Sequence, residues 1–465
     1  MNTTASDVLE FVKENDVKFI RLAFCDLFGM QKNISIMPDE LPGAFEHGIS
    51  FDASAVKGFR DVSKSDLLLF PDPSTLTILP WRPEPGRVIR FYCDIKNPDG
   101  SPFDRDSRYL LKKVVNRCEN MGYICKIGAE CEFYLFKTDE NGEPTQNTLD
   151  KGGYLDISPL DKGENIRREI CLHLEKMGIN PERSHHEQGP GQNEIDFKYS
   201  DALSCADNFL TFKSAVKAVA ARNGLFASFM PKPLQNAPGS GLHINISLSK
   251  NGMNIFRNAD RYFGFDDISS DRSFDDCLTA NSSHNLVHNN YIANSFIAGI
   301  LEKTPEITLF LNPLCNSYER LGSFDAPKYV SWSYQNRSQL VRIPAAVGER
   351  MRMELRSPDP SINPYLAFAL IVAAGLEGIE KRLPLPSAVD VDLYKADESV
   401  TSSLTSLPSS LVQAIELAEK SSFVKTVIGE ELLSEYISLK KEEAEAFEAA
   451  EDKLAFYRER YFSVI

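Results

Sequence analysis

The sequence predicts an α+β protein with a small N-terminal domain and a larger second domain. A chain of 465 residues is longer than one hydrophobic core usually serves. Its first part combines one helical pattern with several closely spaced strand patterns. Beyond that part, strand patterns return at hairpin-like spacing near residues 185–199 and 241–248. Such short returns favour a mixed or mostly antiparallel sheet over a doubly wound parallel one.

The N-terminal elements follow each other at short intervals. Residues 6–15 predict a helix, and residues 17–36 predict two strands around a turn at Leu27–Gly29. Further strands are predicted at 76–81 and 86–95. One helix with several strands in so short a stretch is typical of a small α+β domain.

A connector rich in Pro, Gly and Asp follows at 97–108, with the sequence NPDGSPFDRDSR. We place the domain boundary inside it, which gives residues 1–104 as the first domain and residues 105–465 as the second.

The second domain contains several helical patterns. Apolar residues recur at helical spacing in 105–121, and 363–383 predicts a buried helix with cap-like residues at its start. The chain from Ser409 onward is predicted to be a helical tail, and its charged stretch 440–452 is most simply a solvated helix face.

Composition excludes several classes of function. The formal net charge of −15 argues against nucleic acid and anionic membranes as partners, although local arginines can still bind anionic small molecules. The sequence shows no apolar run long enough to span a bilayer, and its start lacks the apolar core of a signal peptide. The nine cysteines are scattered singly, which predicts reduced thiols and a cytoplasmic location; Cys131 is predicted to lie in the core.

The segment MRMELR, residues 351–356, is the most informative motif. Arg352, Glu354 and Arg356 alternate with apolar residues, so on a strand the three charges share one face. Taken alone, the pattern also suits a surface strand with a salt-bridge ladder. The other charged motifs of the chain favour a site for a metal and an anionic ligand.

Two acidic motifs supply further carboxylates. GAECEFYLF places Glu130 and Glu132 on one strand face, where two like charges repel unless a cation or solvent separates them. Hard divalent cations such as Mg²⁺ take oxygen ligands. In HHEQGPGQNEIDF a GPG turn lies between Glu187 and Glu194 and can direct both carboxylates toward one site. For the first motif, the alternative is a solvent-exposed edge strand. His185 and His186 are adjacent, so on a strand their side chains point to opposite faces.

Two further segments contribute a histidine and arginines. After the Gly-Ser-Gly turn at 239–241, His243, Asn245 and Ser247 alternate on one strand face. The loop-rich segment 316–344 holds three arginines, whose planar forks suit carboxylate and phosphate. Together, five acidic residues, one histidine and five arginines suggest metal-dependent phosphoryl transfer. The arginines are Arg320, Arg337, Arg342, Arg352 and Arg356.

These motifs resemble type I glutamine synthetases, nearest the alpha-type bacterial branch, from one end of the chain to the other. The resemblance rests on FDASAV, NPDG, GAECEF, KGGYLDISPLD, HHEQGPGQNEIDFKY, FMPKP, GSGLH, NSYERL, NRSQLVRIP and ELRSPDPSINPYLAFAL. It implies a β-grasp-like N-terminal domain, an α+β catalytic domain and a homo-oligomer. The implied oligomer is a dodecamer of two stacked hexameric rings, with active sites between neighbouring subunits.

The resemblance also implies ATP-dependent ligation of glutamate and ammonia to glutamine through γ-glutamyl phosphate, with two or more Mg²⁺ or Mn²⁺ ions. One metal is assigned to Glu132, Glu187 and Glu194, and the other to Glu130, His243 and Glu354. The glutamate site is assigned to Gly239, Arg320 and Arg356. The ATP and phosphoryl site is assigned to Ser247, Arg337, Arg342 and Arg352. Ammonium binding and deprotonation are assigned to Asp52, from a neighbouring subunit, and to Asp325, with Arg337 also catalytic.

The chain departs from the family pattern at several positions, including the flap, Pro238 beside the glutamate site and Ala53 directly after Asp52. The flap reads GSFDAP, one residue shorter than usual, and Asp325 stands where the family has a glutamate. Pro238 replaces an asparagine beside the glutamate site. Two alternatives therefore stand beside glutamine synthesis: a ligase that uses a larger amine, and a catalytically silent member of the fold.

Overall fold

The structure is a computed structural model that describes residues 3–82, 85–257 and 291–465. Within these residues it contains one six-stranded sheet, one eleven-stranded sheet and twelve α-helices.

The small sheet has the strand order β2-β1-β6-β4-β3, and β5 pairs with β6. Its central pair, β1 and β6, is parallel, and the other pairs are antiparallel. Apolar side chains of this pair, such as Ile20, Leu22 and Phe91, are buried. The strands are β1 (Val17–Cys25), β2 (Gln31–Ile36), β3 (Ile49–Asp52), β4 (Asp66–Pro71), β5 (Thr77–Ile78) and β6 (Arg87–Lys96).

The large sheet is built around one long strand, β7, which pairs with β8, β10, β11, β12 and β13. The path β15-β16-β17-β13-β7-β10-β9 is antiparallel except for the parallel pair of β15 and β16. The strands are β7 (Ile124–Thr138), β8 (Pro144–Thr148), β9 (Pro181–His186), β10 (Gln192–Phe197), β11 (Ser200–Asp201), β12 (Leu225–Ser228), β13 (Leu242–Lys250), β14 (Met253–Asn254), β15 (Trp332–Tyr334), β16 (Val341–Ile343) and β17 (Met353–Leu355).

Helices precede, connect and follow the strands, and the two helices over residues 291–311 and 364–381 bury most of their residues. The helices are α1 (Ala5–Glu14), α2 (Leu41–His47), α3 (Ser107–Asn120), α4 (Glu164–Lys176), α5 (Ala202–Arg222), α6 (Tyr291–Leu311), α7 (Pro364–Lys381), α8 (Glu398–Thr401), α9 (Leu411–Lys420), α10 (Ser422–Ile428), α11 (Glu430–Ala449) and α12 (Lys453–Tyr457).

The predicted fold class, α+β with a mixed and mostly antiparallel second sheet, is confirmed. The strand predicted at 76–81 is wrong in extent, since only Thr77–Ile78 pairs there. The prediction also missed β3, β4 and α2. In the part of the chain that the structure describes, none of the helices combines the length and apolar character that crossing a membrane requires.

Candidate active site

The register of four strands collects the predicted carboxylates on one face of the large sheet. Glu130 of β7 lies opposite His243 of β13, and Glu132 lies opposite Glu194 of β10. Glu354 of β17 completes the row through its pairing with β13 and β16. Side chains of directly opposed residues project from the same face. The charged side chains that alternate along these strands in the sequence therefore converge on one site.

The first acidic cluster consists of Glu130, His243 and Glu354. His243 Nδ1 lies 3.7 Å from Glu130 Oε2 and 3.7 Å from Glu354 Oε1. One ligand atom from each residue lies within 4.8 Å of the others. The structure thus brings together the three residues that were predicted to share one metal.

Glu354 is also the meeting point of two arginines. The guanidinium of Arg342 pairs with Glu354 Oε2, and that of Arg356 pairs with Oε1. Glu354 and Arg356 are both buried. Burial acts to raise the pKa of Glu354, but the positive charge of Arg356 outweighs it with help from His243, and the pKa is lowered. This carboxylate is therefore held ionised.

Asn245 connects the first cluster to a third arginine, a contact the sequence did not indicate. Its Nδ2 donates to Glu130 Oε1 at 2.9 Å, and its Oδ1 accepts from Arg352 Nε at 2.8 Å. Asn245 lies opposite Glu354 in the register of β13 and β17. The amide thus fixes the predicted phosphate-binding Arg352 beside the cluster.

The second acidic cluster consists of His185, Glu187 and Glu194, again with ligand atoms within 4.8 Å. His185 Nε2 and Glu187 Oε1 are 2.8 Å apart. The sequence alone did not select His185, because it shares a strand with His186 and only the pairing of β9 with β10 sets which ring faces the site. His186 instead contacts Asp150, with its Nε2 2.9 Å from Asp150 Oδ1.

Glu132, predicted to share a metal with Glu187 and Glu194, lies beside this second cluster rather than in it. Its Oε2 accepts hydrogen bonds from Gln192 Nε2 and from the backbone N–H of Gly241, both at 2.9 Å. Burial, with the charge of Glu187 adding to it, raises the pKa of Glu132 above its ordinary value. The carboxylates crowd one another here, so a cation would lower the free energy of the ionised site.

The predicted glutamate-binding arginines are buried deeply among backbone carbonyls. Arg320 donates to the carbonyl oxygens of Ser357, Pro358 and Arg356. Arg356 is 0% exposed and donates to the carbonyl oxygens of Arg337 and Asp325 as well as to Glu354. Within this chain both guanidiniums hold loops together next to the acidic clusters.

Gly239 lies where two other elements approach the backbone closely. A Cβ at this position would be 2.5 Å from the Pro231 carbonyl oxygen and 2.8 Å from Arg320 Cγ, so any other residue would force a shift. Its own carbonyl oxygen accepts from Gln192 Nε2 at 3.1 Å. The absence of a side chain at Gly239 thus lets Arg320 pack against this loop.

Asp325 contacts the second cluster through one intervening residue. Its Oδ2 accepts a hydrogen bond from Gln188 Nε2 at 2.9 Å, and Gln188 follows Glu187 directly. The backbone at Phe324 and Asp325 has positive φ, at 47° and 64°. Both conformations are costly for residues with a Cβ, so the surrounding contacts impose this turn.

The remaining predicted residues lie farther out. Arg337 is exposed, and Ser247 is half-buried on β13 opposite Lys126. Asp52 lies at the end of β3 in the small sheet, where its exposed carboxylate accepts from the backbone N–H and the hydroxyl of Ser54. The structure therefore does not join Asp52 to the acidic clusters of the same chain.

Comparisons with known proteins agree with this architecture. Residues 16–98 match the family model described as "Glutamine synthetase, beta-Grasp domain". Residues 104–270 and 278–459 match the model described as "Glutamine synthetase, catalytic domain". The resemblance drawn from the motifs and the expected β-grasp domain are both confirmed.

Individual relatives match over nearly the whole chain. Glutamine synthetase of Clostridium saccharobutylicum is 43% identical over 443 residues, which is 95% of this chain and 95% of the relative. Glutamine synthetase of Methanosarcina mazei is 44% identical over 450 residues, covering 96% and 95%. The solved structure of GmaS in complex with ADP is 29% identical, with a TM-score of 0.82 and 99% of each chain covered.

Fold and site together thus define an enzyme with a glutamine synthetase catalytic domain. The chain belongs to the glutamine synthetase family and is a glutamate–ammonia ligase.

Proposed function

We propose that the ligation consumes ATP and passes through γ-glutamyl phosphate. The observation that carries this proposal is the convergence of two acidic clusters and three arginine side chains on one face of the large sheet. A carboxylate is a poor acyl donor because its oxygen leaves reluctantly, and phosphorylation converts that oxygen into a good leaving group. The similar GmaS structure is a complex with ADP, which supports an adenine nucleotide as the co-substrate here.

Mg²⁺ or Mn²⁺ fits both acidic clusters, because carboxylate oxygens dominate each set and one histidine is added to each. Glu130, His243 and Glu354 would hold one ion. Glu187 and Glu194 would hold the other, with His185 in contact and Glu132 alongside. When bound, such ions neutralise phosphate charge and orient the transferring group.

Charge complementarity assigns the anionic ligands to the arginines. Arg342 pairs with Glu354, and Arg352 donates to Asn245, which lies opposite Glu354. With the exposed Arg337, these two arginines would bind the phosphates of ATP and stabilise the transferring phosphoryl group. Ser247 lies farther along the same strand face and would contact the nucleotide. Arg320 and Arg356, with the backbone at Gly239, would bind glutamate.

The attacking nitrogen has to be neutral ammonia, so ammonium must lose a proton near the site of attack. Asp325 of the flap and Asp52 of a neighbouring subunit are the carboxylates assigned to this step. Closure of the flap would also exclude water, which otherwise hydrolyses an acyl phosphate.

The proposal also covers the domain boundary, the oligomeric state, the partners and the location of the protein. We place the domain boundary between residues 104 and 105, and we expect a homo-oligomer, a dodecamer of two stacked hexameric rings with shared active sites. The acidic net charge of −15 supports small-molecule substrates rather than nucleic acid or membrane partners. Scattered single cysteines that stay free thiols in the described residues support a cytoplasmic location.

The decisive assay measures phosphate release and amide formation with glutamate, ATP and Mg²⁺ or Mn²⁺. We expect turnover that depends on glutamate, stops with EDTA and prefers ammonium over methylamine, ethylamine and putrescine in kcat/KM. Preference for an alkylamine would instead identify a ligase for larger amines. If no amine supported turnover, the protein would be a silent member of the fold.

A further inference from the structure

The flap and the second acidic cluster meet at one side-chain hydrogen bond. Gln188 Nε2 donates to Asp325 Oδ2 at 2.9 Å. Gln188 is also joined to the cluster itself, because its backbone N–H donates to Glu187 Oε2 at 3.0 Å. A single residue therefore contacts both a predicted metal ligand and the predicted flap base.

The loop that carries Gln188 is fixed by its neighbours. The N–H of Gly189 donates to Gln192 Oε1 at 2.8 Å, and the N–H of Glu187 donates to the carbonyl oxygen of Gln192 at 2.9 Å. A Cβ at Gly189 would lie 2.1 Å from the hydroxyl oxygen of Tyr134. This packing leaves the loop little freedom, so Gln188 leaves it at a defined point next to the cluster.

Hydrogen bonds of the backbone hold the main chain of the flap in place. Gly322 N–H donates to the Ala326 carbonyl oxygen at 3.1 Å and closes the turn, and the Asp325 carbonyl oxygen accepts from Arg356 Nη2 at 3.1 Å. These contacts place the main chain of the flap but leave the carboxylate of Asp325 to be oriented by its own partners. An aspartate reaches one methylene less far than a glutamate, so its orientation decides how far it extends over the site.

The chemistry of glutamine suits this task. An uncharged amide can hold one carboxylate oxygen without neutralising the negative charge that proton abstraction from ammonium needs. A lysine or arginine in the same place would pair with the carboxylate and lower its basicity. A glutamate would repel both Asp325 and Glu187.

We propose that Gln188 is a positioning residue that orients the Asp325 carboxylate toward the acidic clusters and thereby compensates for the short flap acid. The inference rests on the proposed function, in which Asp325 helps to deprotonate ammonium. Because Asp325 acts on ammonium and not on the phosphoryl group, an experiment can measure the effect of Gln188 on the use of ammonia separately from phosphoryl transfer.

The test compares Gln188→Ala with the wild type in two readouts, the KM for ammonium and the ratio of phosphate released to glutamine formed. Loss of one hydrogen bond corresponds to about a fivefold rise in the KM for ammonium, while the KM for ATP stays unchanged. The ratio of phosphate to glutamine should rise above one, because a poorly oriented base leaves more acyl phosphate to hydrolysis. Asn223→Ala, which removes a surface amide–carboxylate bond to Glu169, is the matched control and should change neither readout.

Rescue distinguishes orientation from general damage to the loop. Asp325→Glu restores the missing methylene, so in the double variant with Gln188→Ala it should recover the KM for ammonium and the product ratio. Non-additive effects of the two changes would show that the residues act together. Wild-type-like readouts in Gln188→Ala, or additive losses in the double variant, would overturn the positioning role. A wild-type protein that forms no glutamine would instead overturn the proposed function.

Discussion

At the scale of single residues, Glu354 has more functional contacts than its place in a three-residue strand suggests. It faces His243, and it also pairs with Arg342 and with the fully buried Arg356. A buried guanidinium that loses its carboxylate keeps the cost of desolvation without the compensating charge. Glu354 therefore serves stability as well as the proposed metal site.

We predict that Glu354→Ala lowers the free energy of unfolding by about 3–5 kcal/mol, the range for breaking a buried pair. Glutamine formation should be abolished in the same variant. Glu419→Ala is the control, because it removes an ion pair with Lys441 in which the two side chains are 48% and 47% exposed. Exposed pairs contribute about 0–1 kcal/mol, so urea unfolding should separate the two variants clearly. Equal, small losses would show that Arg356 does not depend on Glu354.

At the scale of elements, helix α3 begins at a buried acidic cap between the two sheets. Asp106 Oδ1 accepts from the backbone N–H of Arg108, and its Oδ2 accepts from that of Ile95 in β6, both at 3.0 Å. Burial is the largest influence on this carboxyl and raises its pKa to about 6. The folded state thus binds its proton more tightly than the unfolded chain, in which an aspartate has a pKa of about 3.9.

The sign of the pH effect follows from this difference. Between pH 4 and 6 the folded protein retains the Asp106 proton and the unfolded chain loses it, so the stabilisation is present at pH 4 and declines as the pH rises to 6. Relative to Asp106→Asn, which does not titrate, the wild type should lose about 2 kcal/mol across this interval, and about the same between pH 4.5 and pH 7. Urea unfolding of both proteins at pH 4.5 and pH 7 measures the change. A difference between the two proteins that stays constant with pH would contradict the shifted pKa.

Local patterns in the sequence predicted elements better than they predicted contacts. The helical spacing of Leu110, Leu111 and Val114 located α3, and strict alternation located the acidic faces of β7 and β17. Strand β4 was missed because its run of leucines, DLLLFP, is too short and too uniform to show a period. In the tail, Lys440 and Glu443 are buried against the Pro313 carbonyl and Tyr461, so the prediction of a solvated helix face is wrong there.

The site partners that the sequence could not provide depend on register between distant strands. His243 faces Glu130 only because β13 pairs with β7 in one particular alignment, and a slip by one residue would turn its side chain to the other face. The same holds for the contacts of His185 and Asn245. The Gln188–Asp325 bond depends on a loop-to-loop approach that no local period encodes.

At the scale of the whole molecule, the two sheets are joined by a charge network around the buried side chain of Arg108. Arg108 of α3 donates to Asp72 and Asp94 in the N-terminal part and to Asp207 of α5, at 2.8–3.1 Å. Tyr365 of α7 donates to the same Asp207 at 2.6 Å. A network of several well-paired groups ties the sheets together firmly, so the N-terminal part is an integral part of the enzyme's framework.

Such a framework gives Asp52 a fixed position away from the acidic clusters of its own chain. Its carboxylate is exposed and engages Ser54 at the end of β3, whereas Glu130 and His243 lie on the large sheet. If Asp52 acts in ammonium binding, it must therefore complete the site of a neighbouring copy. Head-to-tail contacts of this kind close into rings, as in the proposed oligomer.

Mixed oligomers test this arrangement directly. Asp52→Ala and His243→Ala should each be nearly inactive alone, but random co-assembly gives a site with both wild-type residues about one time in four, since the two come from different copies of a heterologous contact. Co-expression with two affinity tags and sequential purification should thus recover about a quarter of wild-type activity per site. The matched control mixes His243→Ala with Glu130→Ala, whose residues share one chain. In this mixture every chain lacks either His243 or Glu130, so no chain forms an intact first cluster and no recovery of activity is expected. If the Asp52 mixture recovered no more activity than this control, Asp52 would not complete a neighbouring site.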